Sequence, residues 1–443
     1  MGKDDTRRLI PRTDRLLAHP ELQGLRGRLG ETVIRSIIQE IQDQARSGEL
    51  APEDVEPEIL AAVASREATS LRPVLNATGV IVHTNLGRAP LSKSAREALL
   101  TAAGYVDVEM DLPSGMRSRR GAGVRQALLR ACPSAEDALA VNNGAAALLL
   151  ATSVLAGTRE VVISRGELVE IGAGFRLPEL IESAGARLRE VGATNRTHVG
   201  DYKSAMGEQT GCLLKVHPSN FQITGFTSGV SVSELRSLAD EHHVPLVVDL
   251  GSGLLSPDPV LPVEPDVASA LTAGADVVIV SGDKLLGGPQ SGILLGRAEI
   301  IARMARHPLA RALRMDKLAL AALEATVSGE VTPVTAALHA DPGRLRERTE
   351  ALAEAVACVV VEHDGRVGGG GAPGVLLPGW AVRLPESAAR SLRTGSPAVL
   401  PRVHRGACLV DLRCIPEDDD ERLAAAVRAA LAQAGEALGT GGS

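Results

Sequence analysis

The chain has 443 residues, 44% hydrophobic and 23% charged, with 46 Gly and 25 Pro, a globular composition long enough for two or three domains and neither disordered nor fibrous. Its 47 basic and 54 acidic side chains leave a formal net charge of -7, so the surface as a whole has no attraction for phosphate backbones, although a local basic patch stays open. The only aromatic residues are Trp380, Tyr105, Tyr202, Phe175, Phe221 and Phe226, which nearly excludes recognition built on rows of stacked rings.

Residues 1 to about 70 are predicted to be a helical N-terminal domain and linker. Leu25, Leu29, Val33, Ile37, Ile38 and Ile41 recur at spacings of three to four on a charged segment, and Pro11, Pro20, Pro52 and Pro57 cut it into short helices. Arg7, Arg8, Arg12, Arg15, Arg26, Arg28, Arg35 and Arg46 are interleaved with acids, as on a solvated helix surface. The first residues lack the apolar core of a signal peptide, and no apolar run reaches about 18 residues, so a soluble, cytoplasmic protein without a membrane span is expected.

From 71 to 330 the pattern changes to short apolar runs, Ala138 to Val141, Val161 to Ser164, Cys212 to Val216, Leu246 to Leu250 and Val277 to Val280, each followed by turn residues and a helical stretch. Continuous apolar strands alternating with helices predict an α/β domain with a mostly parallel sheet covered on both faces, with ligands at the C-terminal strand ends. From 331 to 443, helices around Arg344 to Ala357 and Glu421 to Ala434 and strands at Cys358 to Glu362, Trp380 to Leu384 and Cys408 to Leu412 predict a small α+β domain. Gly368 to Gly371 is expected to be a flexible turn, and the tail from Gly439 to be disordered. Cys132, Cys212, Cys358, Cys408 and Cys414 are odd in number and form no C-x-x-C pair, which points to buried thiols rather than disulfides or a metal site.

Three predicted strand ends carry the chemistry. Val277 to Val280 leads into Ser281-Gly282-Asp283-Lys284, a lysine among glycines just past a buried strand. Desolvation there favours the neutral amine that a Schiff base requires. Asp249 closes the strand from Leu246, and an acid so placed needs a cation or donors, which a pyridinium nitrogen would supply. In Asn142-Asn143-Gly144-Ala145-Ala146 an Asn can cap a helix whose small residues leave backbone N–H groups free for a phosphate.

That order, helix start, acid, lysine, matches the pyridoxal-phosphate enzymes of the aspartate-aminotransferase fold. The chain further resembles the bacterial selenocysteine synthases, L-seryl-tRNA(Sec) selenium transferases, over nearly its full length. The resemblance lies in Asn76-Ala77-Thr78-Gly79, His83 through Leu91, Ser164 through Gly172, Val191 through His198, Lys215-Val216-His217-Pro218-Ser219-Asn220-Phe221, Ser281 through Gln290 and His307 through Arg314.

The resemblance implies a pyridoxal-phosphate fold of type I with a seven-stranded sheet, and pyridoxal 5'-phosphate as cofactor. It places Lys284 at the Schiff-base position, Asp249 at the pyridine nitrogen, Asn220 at the phenolic oxygen and the backbone of Asn143, Gly144 and Ala145 at the phosphate; Ser281 is a further candidate cofactor-binding residue. The family often has Asn where this chain has Gly144, so the contacts implied there are backbone ones. With so few aromatics, an imidazole such as His217 or an aliphatic side chain is expected to cover the ring. Arg311 and Arg314, spaced i, i+3 on one helix face, join Arg88 and Arg120 in a pocket for the donor's phosphate; Arg117 and Arg119 are the alternatives to Arg120. Asp283 is a candidate acid for hydroxyl departure by adjacency alone.

The implied reaction converts seryl-tRNA(Sec) to selenocysteinyl-tRNA(Sec) with selenophosphate, through a cofactor-bound dehydroalanyl-tRNA. The implied assembly is a decamer, a pentamer of dimers, with the N-terminal domain docking the tRNA. Two rivals stand beside it: a pyridoxal-phosphate lyase or transferase acting on a small amino acid or amino sugar, which has no use for the helical N-terminal domain, and a noncatalytic RNA-binding relative, which has no use for Lys284 and Asp249.

Overall fold

A computed structural model describes residues 9–66, 69–172 and 174–439. Arg7 and Arg8 lie outside the described residues, as does the Gly-rich end beyond Gly439, which itself closes the last helix. The chain divides after Pro73 into two compact units.

The first unit is helical, with α-helices at Thr13–Leu17, Pro20–Leu29, Glu31–Ser47 and Val55–Ser65. Ile34, Ile38, Ile41 and Ala45 bury one face of the Glu31–Ser47 helix against Leu16, Leu17, Leu22, Val55, Ile59 and Val63. The expected stripe is corrected at Val33, which is exposed, Ile34 taking its place. Gly30, at φ 73°, separates two helices, so the apolar phase restarts instead of running on from Leu25 and Leu29. Buried Gln42 accepts from Thr13 Oγ1 at 3.1 Å and donates to Pro11 O at 2.7 Å. Several arginines here pair with acids on the surface, and Arg28 instead donates to the carbonyls of Val63, Ala64 and Arg66, closing the last helix.

The second unit is built on a seven-stranded sheet, β1 Asp137–Val141, β2 Glu160–Ser164, β3 Arg187–Val191, β4 Thr210–Val216, β5 Leu246–Gly251, β6 Val277–Ser281 and β7 Gly292–Gly296. Its spatial order is β1-β7-β6-β5-β4-β2-β3, parallel except for β7, which runs antiparallel to both neighbours. Alternate residues enter two cores: Leu246, Val248 and Leu250 face one, Val247 the other. That two-sided burial is why the strands read as unbroken apolar runs. The β5–β6 ladder is irregular between Asp249 and Gly251, where the strand leaves the sheet.

A five-stranded sheet follows, in the order Val74–Ala77, Ala398–His404, Ala407–Asp411, Trp380–Pro385, Val359–Glu362. Its first strand comes from far upstream, paired in parallel from Val74↔Ala398 to Ala77↔Pro401. Residues 74–77, expected with the large domain, thus join the C-terminal sheet. Buried His363 and Asp411 meet at 2.8 Å, with Arg413 N–H donating to the same carboxylate at 2.7 Å. A third sheet pairs Gly365–Gly368 in parallel with Val80–Val82, drawing the glycine run and the Val80–Arg88 segment together. All five cysteines are free thiols, and burial pushes Cys212 up to about 12. No helix among the described residues is long and apolar enough to cross a membrane.

Candidate active site

The C-terminal ends of β1, β4, β5 and β6 deliver the expected groups to one region. Lys284, three residues past β6, is 8% exposed. Its backbone is locked by Leu285 N–H to Ser252 O at 2.9 Å and Gly287 N–H to Lys284 O at 3.0 Å. A Cβ placed on Gly251 would lie 3.6 Å from Lys284 Nζ, 4.0 Å from Asp249 Oδ1 and 3.4 Å from Ser219 Oγ, so amine, acid and hydroxyl surround one point.

Their charges respond to that enclosure. Burial lowers the Lys284 amine below its usual range, opposed by the Asp249 carboxylate and reinforced by Arg88. Burial raises Asp249 to about 6, opposed by Lys284, the Gly251 N–H and His217. With 3.8 as the unfolded value, the folded protein holds more protons than the unfolded chain between about 4 and 6. The Asp249 share of stability is therefore full at low pH and is lost as pH rises through the folded value, roughly 1.4 kcal/mol per unit. Asp249→Asn is expected to make the cofactor-free protein more stable at pH 8, by up to about 3 kcal/mol, and indistinguishable near pH 4. Urea unfolding at the two pH values checks this, and equal midpoints at pH 8 would refute it.

At the end of β1, Asn143 caps the Gly144–Leu155 helix, its Oδ1 accepting from Ala146 N–H at 2.8 Å. The N–H groups of Gly144 and Ala145 make no hydrogen bond among the described residues. A Cβ on Gly144 would lie 2.9 Å from Ser281 Oγ, so glycine admits this hydroxyl to the helix start. Free N–H groups past β1 and a hydroxyl of β6 thus adjoin each other.

His217 lies beside Asp249, its N–H donating to Asp249 O at 2.8 Å. Its Nε2 is 3.4 Å from Glu264 Oε2, a carboxylate that also accepts from Ala372 N–H at 2.7 Å. Burial would raise Glu264, but His217 and Ser252 outweigh it and hold the carboxyl below the usual range. Nothing around Glu264 in the sequence marks it. Ser219 and the glycine run were also missed: Gly370, expected in a flexible turn, packs directly against Lys284, where a Cβ would lie 2.7 Å from both Cε and Nζ.

Two of the expected residues have other partners in the structure. Asn220 is exposed and its amide donates to Glu170 O at 3.0 Å, while neighbouring Ser219 supplies the buried hydroxyl. Asp283 is bound to Arg88, its Oδ2 accepting from Nη1 at 2.5 Å. Arg88 holds φ 68° at the close of the turn from His83, its N–H bonded to His83 O at 3.0 Å.

The four expected arginines divide. Arg120, Arg311 and Arg314 line one cavity of about 540 Å³ together with Arg117, Arg119 and Glu109, while Arg88 stays with Asp283. Arg120 donates to Met315 O at 2.9 Å. Backbone contacts tie this cavity to the Gly144 helix start, through Asn142 N–H to Leu313 O at 2.9 Å and a bridge between Val141 and Arg314.

Residues 74–416 match the family described as L-seryl-tRNA selenium transferase, and residues 7–46 the family described as selenocysteine synthase N terminal. The L-seryl-tRNA(Sec) selenium transferase of Moorella thermoacetica is 44% identical over 96% of this chain and 97% of its own. Those of Carboxydothermus hydrogenoformans and Geobacter metallireducens are 40% and 43% identical, over 95% and 94% of this chain and 96% and 98% of theirs. Among solved structures, D-glucosaminate-6-phosphate ammonia-lyase superposes with a TM-score of 0.59 at 22% identity, covering 82% of this chain and 97% of its own. The aspartate-aminotransferase-like fold expected from the sequence is the one observed.

Proposed function

The chain belongs to the L-seryl-tRNA selenium transferase family, and from that premise we propose that it converts seryl-tRNA(Sec) to selenocysteinyl-tRNA(Sec) with pyridoxal 5'-phosphate as cofactor and selenophosphate as selenium donor. The observation that carries the reading is the meeting of Lys284 Nζ and Asp249 Oδ1 around Gly251, with the free N–H groups of Gly144 and Ala145 at the helix start past another strand of the same sheet.

The residues present fit the cofactor. A desolvated Lys284 is the amine that condenses with an aldehyde. Asp249, raised to about 6 by burial, gains from a cationic N–H partner such as a pyridinium. The free N–H groups of Gly144 and Ala145 and the Ser281 hydroxyl suit a phosphate.

When bound, the cofactor supplies an electron sink for charge left at the seryl α-carbon. Lys284 Nζ takes the α-proton and returns it, and its buried, low-basicity amine is suited to both directions. Asp283 orients Arg88 beside that amine. His217, backed by Glu264, lies beside Asp249 and would cover the cofactor's ring. Arg311, Arg314 and Arg120 receive the donor's phosphate.

The N-terminal unit docks the tRNA in this reading, supported by its separate match to the family's N-terminal region. The protein works in the cytoplasm as an oligomer, a decamer by family resemblance. Supporting self-association, Leu100, Tyr105, Met110, Leu112 and Met116 are large apolar side chains left exposed between residues 100 and 116.

The test is incubation with selenophosphate and either seryl-tRNA(Sec) or free serine, the same preparation being weighed by light scattering. Selenium is expected to enter only the tRNA-bound serine, in a particle of many subunits. Incorporation into free serine would overturn the substrate, and a single-chain mass the assembly.

A further inference from the structure

The arginine-lined cavity contains one acid, Glu109. Its carboxylate lies 2.9 Å from Arg117, 3.5 Å from Arg120 and 3.8 Å from Arg314. The Glu109 backbone is held by Ser118 N–H donating to its carbonyl at 3.0 Å. Only the Arg117 contact has full hydrogen-bond length; the other two are loose, so the carboxylate sits among three guanidiniums without matching any bidentate fork.

The cluster is also under-neutralised. Three positive charges face one negative, leaving two, and Arg311 and Arg119 in the same cavity make no ion pair among the described residues. Arg120 Nε is buried and without a partner. A further oxyanion of about two charges would complete the set, and it would compete with Glu109 for Arg120 and Arg314.

We propose that Glu109 is a built-in counter-anion, occupying the oxyanion position of this cavity in the free protein and yielding Arg120 and Arg314 to an incoming phosphate group. Glu109 thereby sets the charge a ligand must carry to enter: a dianion displaces it, whereas a monoanion gains too little. Arg117, at the tightest contact, keeps the carboxylate close enough to return after release. The inference rests on the reading of this cavity as the donor's phosphate site.

Titration of inorganic phosphate into the full-length, cofactor-loaded protein tests it by calorimetry, the cofactor's own phosphate seat being filled. Glu109→Gln keeps the shape and removes the charge, and is expected to tighten phosphate by about tenfold at low salt, with a smaller gain at high salt. Glu109→Asp retracts the carboxylate by one methylene and is expected to tighten phosphate by less; it serves should the amide variant fail to fold. Unchanged or weaker phosphate binding in both variants, with Arg314→Ala still abolishing it, would overturn the counter-anion role and leave the cavity reading intact. Full phosphate binding in both Arg311→Ala and Arg314→Ala would instead overturn the cavity reading itself.

Discussion

Alanine at position 284 is expected to abolish the visible absorbance of covalently held cofactor and to lower selenium transfer by at least about a thousandfold, within the range that loss of a positioned acid–base group produces. Two roles vanish together, the amine that holds the aldehyde and the base that handles the α-proton. Lys284→Arg is expected to be equally inactive, because a guanidinium retains charge and length but offers no neutral amine. The fold should survive, since the segment is held by backbone bonds, Gly282 N–H to Ser291 O at 3.0 Å and Gly288 N–H to Gly282 O at 2.8 Å. Asp249 should respond as well: without the Lys284 charge that opposes burial, its pKa is expected to move further up. Spectral titration and single-turnover assays provide the readouts, and an alanine variant with retained turnover would sink the mechanism.

Valine at position 370 is the second large effect. Gly370 has φ 88°, a left-handed conformation that costs a side-chain-bearing residue about 1–2 kcal/mol. Its Cβ would also lie 2.7 Å from Lys284 Cε and Nζ. The segment has little room to retreat, being pinned by Gly369 N–H to Val82 O at 2.8 Å on one side and by Ala372 N–H to Glu264 Oε2 at 2.7 Å on the other. The lysine must therefore move, and an ångström of displacement at a reacting group costs about a hundredfold. Gly370→Val is expected to lose cofactor loading or turnover by that factor, and Gly370→Ala by less, while unfolding midpoints shift only modestly. Wild-type absorbance and turnover in the valine variant would show that the lysine does not depend on this packing.

Much of the fold was legible because buried strands leave a direct trace. The apolar runs at Val161, Cys212, Leu246 and Val277 each became a strand of the central sheet, since both of its faces are covered. The strand at Val74–Ala77 left no such trace: it is four residues long and pairs with Ala398–His404, more than three hundred positions away. Local pattern likewise misplaced the first unit's apolar stripe at Val33, because Gly30 interrupts the phase.

The sequence by itself determined the chemistry available: a lysine and an acid each ending a buried strand, a capped helix start, and an arginine pair at helical spacing. Those assignments needed only local order, where burial and backbone geometry act over a few residues. Tertiary structure alone decided which groups meet. It paired Asp283 with Arg88, turned the Asn220 amide onto Glu170, and set Glu264 behind His217. It laid the Gly370 backbone on Lys284 and gathered Glu109 with Arg117, Arg120 and Arg314. Apart from Glu109 with Arg117 and Arg120, which share one local segment, these contacts join groups far apart in the chain, and no periodicity or spacing encodes them. The net charge of -7 that argued against phosphate ligands is an average, and folding collects seven arginines and a single acid into the lining of one cavity.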